Sequence, residues 1–364
     1  MAKPNTFQEW YVESSYQEFV RREGAPLYEG SALEDLSSLP LADWERRGGK
    51  VAYTRLGNQE NYNLQIIEIP PRGELTPEHH MYEAVMYVMK GRGATNIWQD
   101  GEPKRTVEWE EGSLLAIPLN AWHQEFNASS DEPCKILLGT NMAQAINQYH
   151  NLEFVFDSKF QFKDRYSYYM DDFFASEGKV WSLRVYETNF ISNIKTLKLD
   201  PYPERGNRTA IMRLSMASCS VGMHVMEASE GTYVTAHRHG PGAHVIVIDG
   251  DGYELLFMPG DEKSRRKVPA KSYAAVSPCL NEFHQHFNTG KGGYRMLAFR
   301  GGGIRYGSGL KHDPARTAQS KDPFAQWYKI PYEQEDPSIR EEYYKELEKN
   351  GISLRLAPLD QGRG

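Results

Sequence analysis

Short apolar runs separated by turn residues dominate the chain from about residue 50 onward. In the first half they lie at 63–69, 84–90, 113–119 and 134–140, with Gly, Pro, Asp and Asn between them. Short strands at intervals of about 8–12 residues, with turn signals between them, are typical of a β-sandwich or barrel. The pattern therefore predicts an all-β fold.

Helical patterns are confined to the two ends of the chain. Residues 5–22 carry aromatic side chains at helical spacing, and Gly24 follows as a stop signal. Residues 336–351 have Pro337 near their start and end at Asn350–Gly351, which predicts a second helix. We expect this second helix to pack on a barrel surface or on another subunit.

The strand pattern occurs twice. A second set of apolar runs lies between residues 221 and 300. The segment VMYVMKGRG (85–93) aligns with HVIVIDGDG (244–252), which follows it by about 160 residues. Two copies of one β unit thus account for most of the chain. We predict a helical arm, a first barrel, an irregular connector with short helices, a second barrel and a helical tail, which occupy residues 1–45, 46–145, 146–205, 206–312 and 313–364.

Composition narrows the class of protein. The chain has 364 residues, of which 40% are hydrophobic and 25% charged, so it is long enough for two buried cores. A net charge of −7 argues against a nucleic-acid partner. We expect no membrane span and no secretory signal, and three scattered cysteines favour a reduced, cytoplasmic protein. Exposed strand edges favour a homodimer or higher homo-oligomer.

Histidines cluster in the duplicated segments. Eight of the eleven lie there: His79, His80, His123, His237, His239, His244, His284 and His286. Residues two apart on a strand share one face, so two antiparallel strands can bring three imidazoles around one cation. Neutral imidazole suits Fe, Zn, Cu or Ni. The alternative is that these histidines hydrogen-bond to one another or bind a small anion.

The spacing around these histidines resembles a known family. Gly231 followed by HRH, and Pro278 followed by His284 and Asn288, are similar to the two signature motifs of the cupin superfamily. The two copies, over about 50–145 and 206–305, resemble a bicupin. The resemblance implies two tandem jelly-roll barrels (double-stranded β-helices). It also implies a metal site, usually with a Glu ligand where this chain has Ala243, which leaves His237, His239 and His284.

The combination of HRH, Ala243 and the H-x-H-x-N segment is similar to the gentisate and salicylate ring-cleaving dioxygenases among the bicupins. In those enzymes the active barrel is usually the N-terminal one, whereas here the fuller motif is C-terminal. The resemblance implies Fe(II), with Zn, Mn, Ni or Cu as alternatives. It implies O2 and a small chelating substrate, either an aromatic hydroxy acid or an enolised diketone. His286 would be the catalytic donor beside that substrate.

Two assignments stay open. His244 lies one position beyond the usual Glu slot, so strand alternation turns it away, although a one-residue shift in the preceding turn would make it a fourth ligand. In the first copy, Glu78, His80 and His123 would be the ligands of a second, weaker metal site, which is one of two open alternatives. An alternative alignment uses His79 and Glu83 instead. We favour the interpretation that the first barrel is kept for structure and dimer contacts.

Three functional hypotheses follow. The first is a non-haem Fe(II) dioxygenase of the bicupin type. The second is a metal-dependent bicupin with non-redox chemistry, an isomerase or decarboxylase, in which O2 uptake would be absent. The third is a non-catalytic ligand-binding bicupin, in which substitution of His237 by Ala would leave function intact.

Overall fold

The N-terminal arm contains short elements that join both barrels. The structure is a computed structural model that describes residues 12–239, 243–305 and 327–356. The arm contains helix α1 (Ser15–Arg22), strands β1 (Leu27–Gly30), β2 (Ala32–Leu33) and β3 (Ala42–Asp43), and a 3-10 turn at Leu36–Ser38. Ser14 caps α1, because its side chain accepts the backbone N–H of Gln17 at 3.2 Å. Residues 5–11 of the predicted helix lie outside the described residues.

The first barrel consists of two facing sheets. Its strands are β4 (Lys50–Leu56), β5 (Asn63–Ile69), β6 (Ala84–Lys90), β7 (Arg92–Trp98), β8 (Arg105–Glu110), β9 (Leu114–Ile117), β10 (Trp122–Asn127) and β11 (Cys134–Thr140). One sheet has the order β5-β11-β6-β9, and the other has the order β10-β7-β8. Strand β6 is apolar along nearly its whole length because both of its faces are buried.

The connector is partly helical, as predicted, and also contributes strands. It contains α2 (Met142–Tyr149), α3 (Leu152–Asp157), β12 (Lys179–Trp181), β13 (Val185–Glu187), β14 (Phe190–Ile191), β15 (Asp200–Pro201) and a 3-10 turn at Pro203–Arg205. Strand β14 pairs with β9 and so extends the large sheet of the first barrel.

The second barrel repeats the strand order of the first. Its strands are β16 (Thr209–Ser215), β17 (Val221–Ala228), β18 (His237–His239), β19 (Ala243–Asp249), β20 (Asp251–Phe257), β21 (Arg266–Lys271), β22 (Ala275–Val276), β23 (Phe283–Asn288), β24 (Tyr294–Gly301) and β25 (Trp327–Lys329), with a 3-10 turn at Glu262–Ser264. One sheet has the order β17-β24-β19-β22, and the other runs β21-β20-β23-β18-β25. The duplicated all-β jelly-roll architecture is therefore confirmed.

The two large sheets share one apolar core. Buried side chains from the first barrel, including Leu64 and Val85, belong to the same cluster as Met223, Ile246 and Phe299 of the second. The backbones approach so closely that a Cβ atom at Gly139 would lie 2.3 Å from the Phe299 ring. The two barrels are thus packed against each other through a shared core.

The tail ends in helix α4 (Pro337–Lys349), whose first turn is capped by the Asp336 side chain. Its buried residues Ile339, Tyr343 and Leu347 pack on the outer face of the smaller sheet of the second barrel. The tail helix therefore covers a barrel surface, one of the two placements expected. Among the described residues, no helix is long and apolar enough to cross a membrane.

Candidate metal centre

Three histidines of the smaller sheet of the second barrel meet inside that barrel. His237 on β18 is paired directly with His284 on β23, and His286 lies two residues further on the same face of β23. One ring nitrogen from each of the three lies within 4.8 Å of the other two, and all three side chains are buried. This convergence is the arrangement that a metal ion requires.

His239 lies on the same cavity wall, and its ring is closer to the ring of His284 than the His286 ring is. Its ring centroid is 4.9 Å from that of His284 and 6.0 Å from that of His237. At this end of β18 the paired residue on β25 is Trp327. His286 is therefore a candidate ligand in addition to the predicted His237, His239 and His284.

Hydrogen bonds orient two of the three imidazoles. The Nδ1–H of His237 donates to the carbonyl oxygen of Thr235 at 3.0 Å. The Nδ1–H of His286 donates to the Glu254 carboxylate, which also accepts the Tyr294 hydroxyl at 2.9 Å. With Nδ1 engaged in this way, Nε2 keeps its lone pair, the arrangement in which metal-ligating histidines are usually held.

Burial disfavours the charged form of two of the three imidazoles. It lowers the pKa of His237 well below the ordinary histidine value, and the nearby charge of Arg205 adds to this effect. Burial likewise lowers the pKa of His284 far below its usual range, with His239 adding to the effect. His284 Nδ1 is buried without a hydrogen-bond partner among the described residues. Neutral rings with an unused lone pair fit a divalent transition metal.

The wall of the cavity opposite the histidine cluster contains basic residues. The free volume of the cavity is about 20 Å³. The sheet facing the histidines contributes Arg213, His224 and Arg300, and the 3-10 turn before β16 contributes Arg205. Sequence analysis missed these four residues. The available signal was a charged or polar residue inside an otherwise apolar strand, as in TAIMRLS and VGMHVME.

His244 points away from the cluster. Its Nδ1 bonds to the Ser277 hydroxyl at 2.6 Å, and its Nε2 bonds to the carbonyl oxygen of Tyr62 at 3.0 Å. Because both ring nitrogens are engaged, the fourth-ligand alternative has no support from the described geometry. The contact with Tyr62 instead links the second barrel to the first.

The register of the first barrel decides between the two alignments of its motif. Glu78 pairs with His123 just as His237 pairs with His284. His79 instead contacts Asn120 at 2.9 Å, and Glu83 forms an ion pair with Arg165 at 2.8 Å. The alternative alignment through His79 and Glu83 is therefore wrong.

Glu78, His80 and His123 do lie together and are buried. The Nδ1–H groups of both histidines are engaged, and each Nε2 is buried without a hydrogen-bond partner. However, the Glu78 carboxylate is already bound by Arg46 and by Arg47, the latter at 2.7 Å. Two guanidinium groups on the only carboxylate of the set oppose a further cation there.

Comparisons with known proteins agree with this architecture. Residues 65–139 match the cupin domain family. A solved structure of oxalate decarboxylase is similar over 75% of this chain and 77% of that one, with 12% identity and a TM-score of 0.50. Vicilin from hazelnut (Corylus avellana) is similar over 82% of this chain and 99% of that one, with 12% identity and a TM-score of 0.48. The comparison with curated proteins gives no match.

The family match covers the first barrel, and the second barrel repeats its strand order and its paired motif positions. Residues 65–139 thus form a cupin domain, and a second barrel with the same strand order follows it.

Proposed function

We propose that the second barrel binds one divalent metal ion through His237, His284 and His286, and that the protein is an Fe(II)-dependent dioxygenase for a small chelating acid. The observation that supports this proposal is the buried group of three imidazoles, with no protein carboxylate among the candidate ligands of that group. A redox-active ion bound only by neutral ligands would keep its full charge and open positions for an anionic substrate and O2.

The protein's own residues would position the reactants. The Glu254 carboxylate holds the His286 ring, and the Thr235 carbonyl holds the His237 ring, so the ligand nitrogens are fixed before substrate arrives. The buried walls of the barrel would exclude bulk water from the bound acid. Hydroxybenzoates, catechols and enolised diketones fit this requirement for a small chelating anion.

A second candidate function is a metal-dependent decarboxylase or isomerase. The specific observation in its favour is the chain from Tyr294 through Glu254 to His286, which could hold a proton at the cavity. Oxalate decarboxylase shares the fold at 12% identity. That likeness concerns the architecture alone, so the chemistry must be measured.

We propose a structural role for the first barrel motif. Arg47 binds Glu78 at 2.7 Å and Glu125 at 2.8 Å, and all three are buried. The guanidinium group thus supplies the positive charge that a metal ion would supply there. Arg47 also holds the pKa of Glu125 down to about 2 against the opposing effect of burial. We therefore expect one metal ion per chain.

The test is anaerobic reconstitution with Fe(II), followed by metal analysis and oxygen-electrode assays with hydroxybenzoates, catechols and diketones. We expect one iron per chain and substrate-dependent O2 uptake. His284→Ala should lose both, whereas His123→Ala should keep its iron. His150→Asn is the matched control. His150 is exposed just after α2, and its backbone has a left-handed conformation that Asn tolerates.

Iron retained by His284→Ala would overturn the metal assignment. Full iron loading without O2 uptake, accompanied by CO2 release or an isomerised product, would overturn the dioxygenase in favour of the second candidate. Two irons per chain, one of them lost in His123→Ala, would overturn the structural role of the first motif.

A further inference from the structure

The large sheet of the second barrel ends in a short exposed hairpin. Beyond β17 this sheet continues through β16 and β13 to β12, which is its last strand. Strands β12 and β13 come from the connector and pair in antiparallel register, with Val180 opposite Tyr186. In the described parts of the chain, no strand pairs with the outer edge of β12. A further strand could therefore pair with the backbone groups of this edge.

The hairpin presents large apolar side chains to solvent. All three residues of β12 are exposed. Val180 is 62% exposed, Trp181 is 47% exposed, and Leu183 in the hairpin loop is 42% exposed. Large apolar side chains that lie together on a surface usually mark a site of interaction. We therefore regard the edge of β12 as an interaction surface.

The loop that joins the two strands is fixed in a strained conformation. Leu183 and Arg184 each have a φ of 61°, in the left-handed region that bulky side chains disfavour. The Arg184 side chain donates to the carbonyl oxygen of Pro201 at 2.8 Å and pairs with Glu204 at 3.4 Å. Because these contacts tie the loop to the rest of the molecule, the exposed hairpin is a built feature of the fold.

An apolar groove lies beside the hairpin. Its free volume is about 410 Å³, and its walls include Trp181, Leu183, Val185 and Ile304. Trp181 and Val185 are opposite each other in the register, so their side chains lie on the same face of the hairpin. The apolar surface thus continues from the edge of β12 onto the barrel.

Lys179 does not block this edge. Natural sheets often protect an edge strand with a lysine that projects into solvent. Here the Nζ atom of Lys179 lies 3.6 Å from the centroid of the Trp181 ring, so its charge lies over the face of the hairpin. The side chain therefore leaves room for a second strand at the edge.

We propose that β12 pairs with β12 of a second copy of this chain, in antiparallel register about a two-fold axis at Val180. An antiparallel strand edge is its own complement, as a two-fold interface requires. In this register Lys179 lies opposite the partner's Trp181, a cation–π pair that occurs twice. An axis at Lys179 would instead place two ammonium groups opposite each other, which is unfavourable.

The contact is small, so the association should be weak and reversible. Interfaces that bury less than about 1,200 Å² belong to transient complexes, and three paired residues with their flanking side chains fall in that class. We therefore expect monomer and dimer to exchange as the protein concentration changes. The contact does not depend on the metal or on the reaction.

Sedimentation velocity of the full-length protein over a range of concentrations tests the proposal. We expect a dimer fraction that grows with concentration. Val180→Lys should weaken association at least about tenfold, because two ammonium groups would face each other at the axis. Val12→Lys is the matched control, since Val12 is also an exposed valine and lies outside the hairpin. This control should associate as the wild type does.

A pair of opposite charges tests the register. Val180→Glu alone should also weaken association, because two carboxylates would meet at the axis. An equimolar mixture of Val180→Lys and Val180→Glu should restore association, since each ammonium group would then lie opposite a carboxylate. A mixture that associates no more strongly than its separate components would overturn the proposal.

Hydrogen exchange identifies the segment that is buried. The backbone N–H groups of residues 179–181 should gain protection as the protein concentration rises. A protein that stays monomeric at every concentration would overturn the proposal, and so would a dimer that Val180→Lys leaves unchanged. Full protection of these groups in the monomer would show that another segment of the same chain covers the edge, and would also overturn it.

Discussion

At the scale of single residues, burial decides which side chains change their chemistry. Glu335 lies just before α4, accepts the Tyr233 hydroxyl, and accepts an amide N–H of Gln285 at 3.1 Å. Burial raises its pKa to about 7 despite these hydrogen bonds. The protonated form is therefore favoured in the folded protein.

This shift predicts a pH-dependent stability. An unfolded Glu has a pKa near ~4.3, so the contribution of Glu335 is fully present below that pH and is lost as pH rises through about 7. Between pH 5 and 8 the wild type should lose up to about 3 kcal/mol relative to Glu335→Gln, since one pKa unit corresponds to about 1.4 kcal/mol. Urea unfolding at each pH measures this difference.

The control is Glu333→Gln, because Glu333 is exposed two residues away. Its unfolding free energy should follow the wild type across the pH range. A Glu335→Gln variant that does the same would contradict the assigned shift.

At the scale of elements, α4 holds the outer face of the sheet that presents the histidines. The buried Tyr343 hydroxyl contacts the carbonyl oxygens of Thr232 and Asn288, at 2.9 and 2.6 Å. We expect Tyr343→Phe to cost about 1–2 kcal/mol of unfolding free energy, because buried carbonyl groups lose a donor. Tyr344→Phe, on the exposed side of the same turn, should change it by less than about 0.5 kcal/mol. Equal losses in the two variants would show that the contact is not specific.

Elements were predictable where an apolar run ended at clear turn residues. The runs at 63–69, 84–90 and 134–140 are strands with the predicted bounds. The sequence could not give β18 its length of three residues, nor its pairing with β25, because pairing partners are set by tertiary contacts. The convergence of His286 with His237 and His284 therefore could not be read from the sequence.

The placement of the arginines in the cavity could not be read from the sequence for a related reason, although a charged residue inside an apolar strand was a signal. The alternation of side chains along a strand shows that Arg213 and Ile211 share a face. It does not show that this face lines the barrel interior opposite His237. Only the register between strands brings Arg300 next to Ala243. The histidine motifs were found because their spacing in the sequence is itself the signal.

At the scale of the whole molecule, the two barrels form one packed unit through Gly139 and Phe299. Gly139→Ala should cost about 1–3 kcal/mol, because the added methyl group overlaps the ring in a closed interface. In a Phe299→Leu background the same change should cost at least about 1 kcal/mol less, since the ring is gone. A double-mutant cycle in urea measures this coupling, and additive effects would contradict the close approach.

Strand β2 of the arm pairs with β22 of the second barrel, while β14 of the connector completes the first. The sheet of each barrel therefore includes a strand from outside its own repeat. During synthesis, β2 must stay unpaired until the ribosome has delivered β22, although β1 and β3 of the arm can already pair with β4. A nascent chain stalled after the first barrel would present an open strand edge, which makes this stage the one most dependent on chaperones.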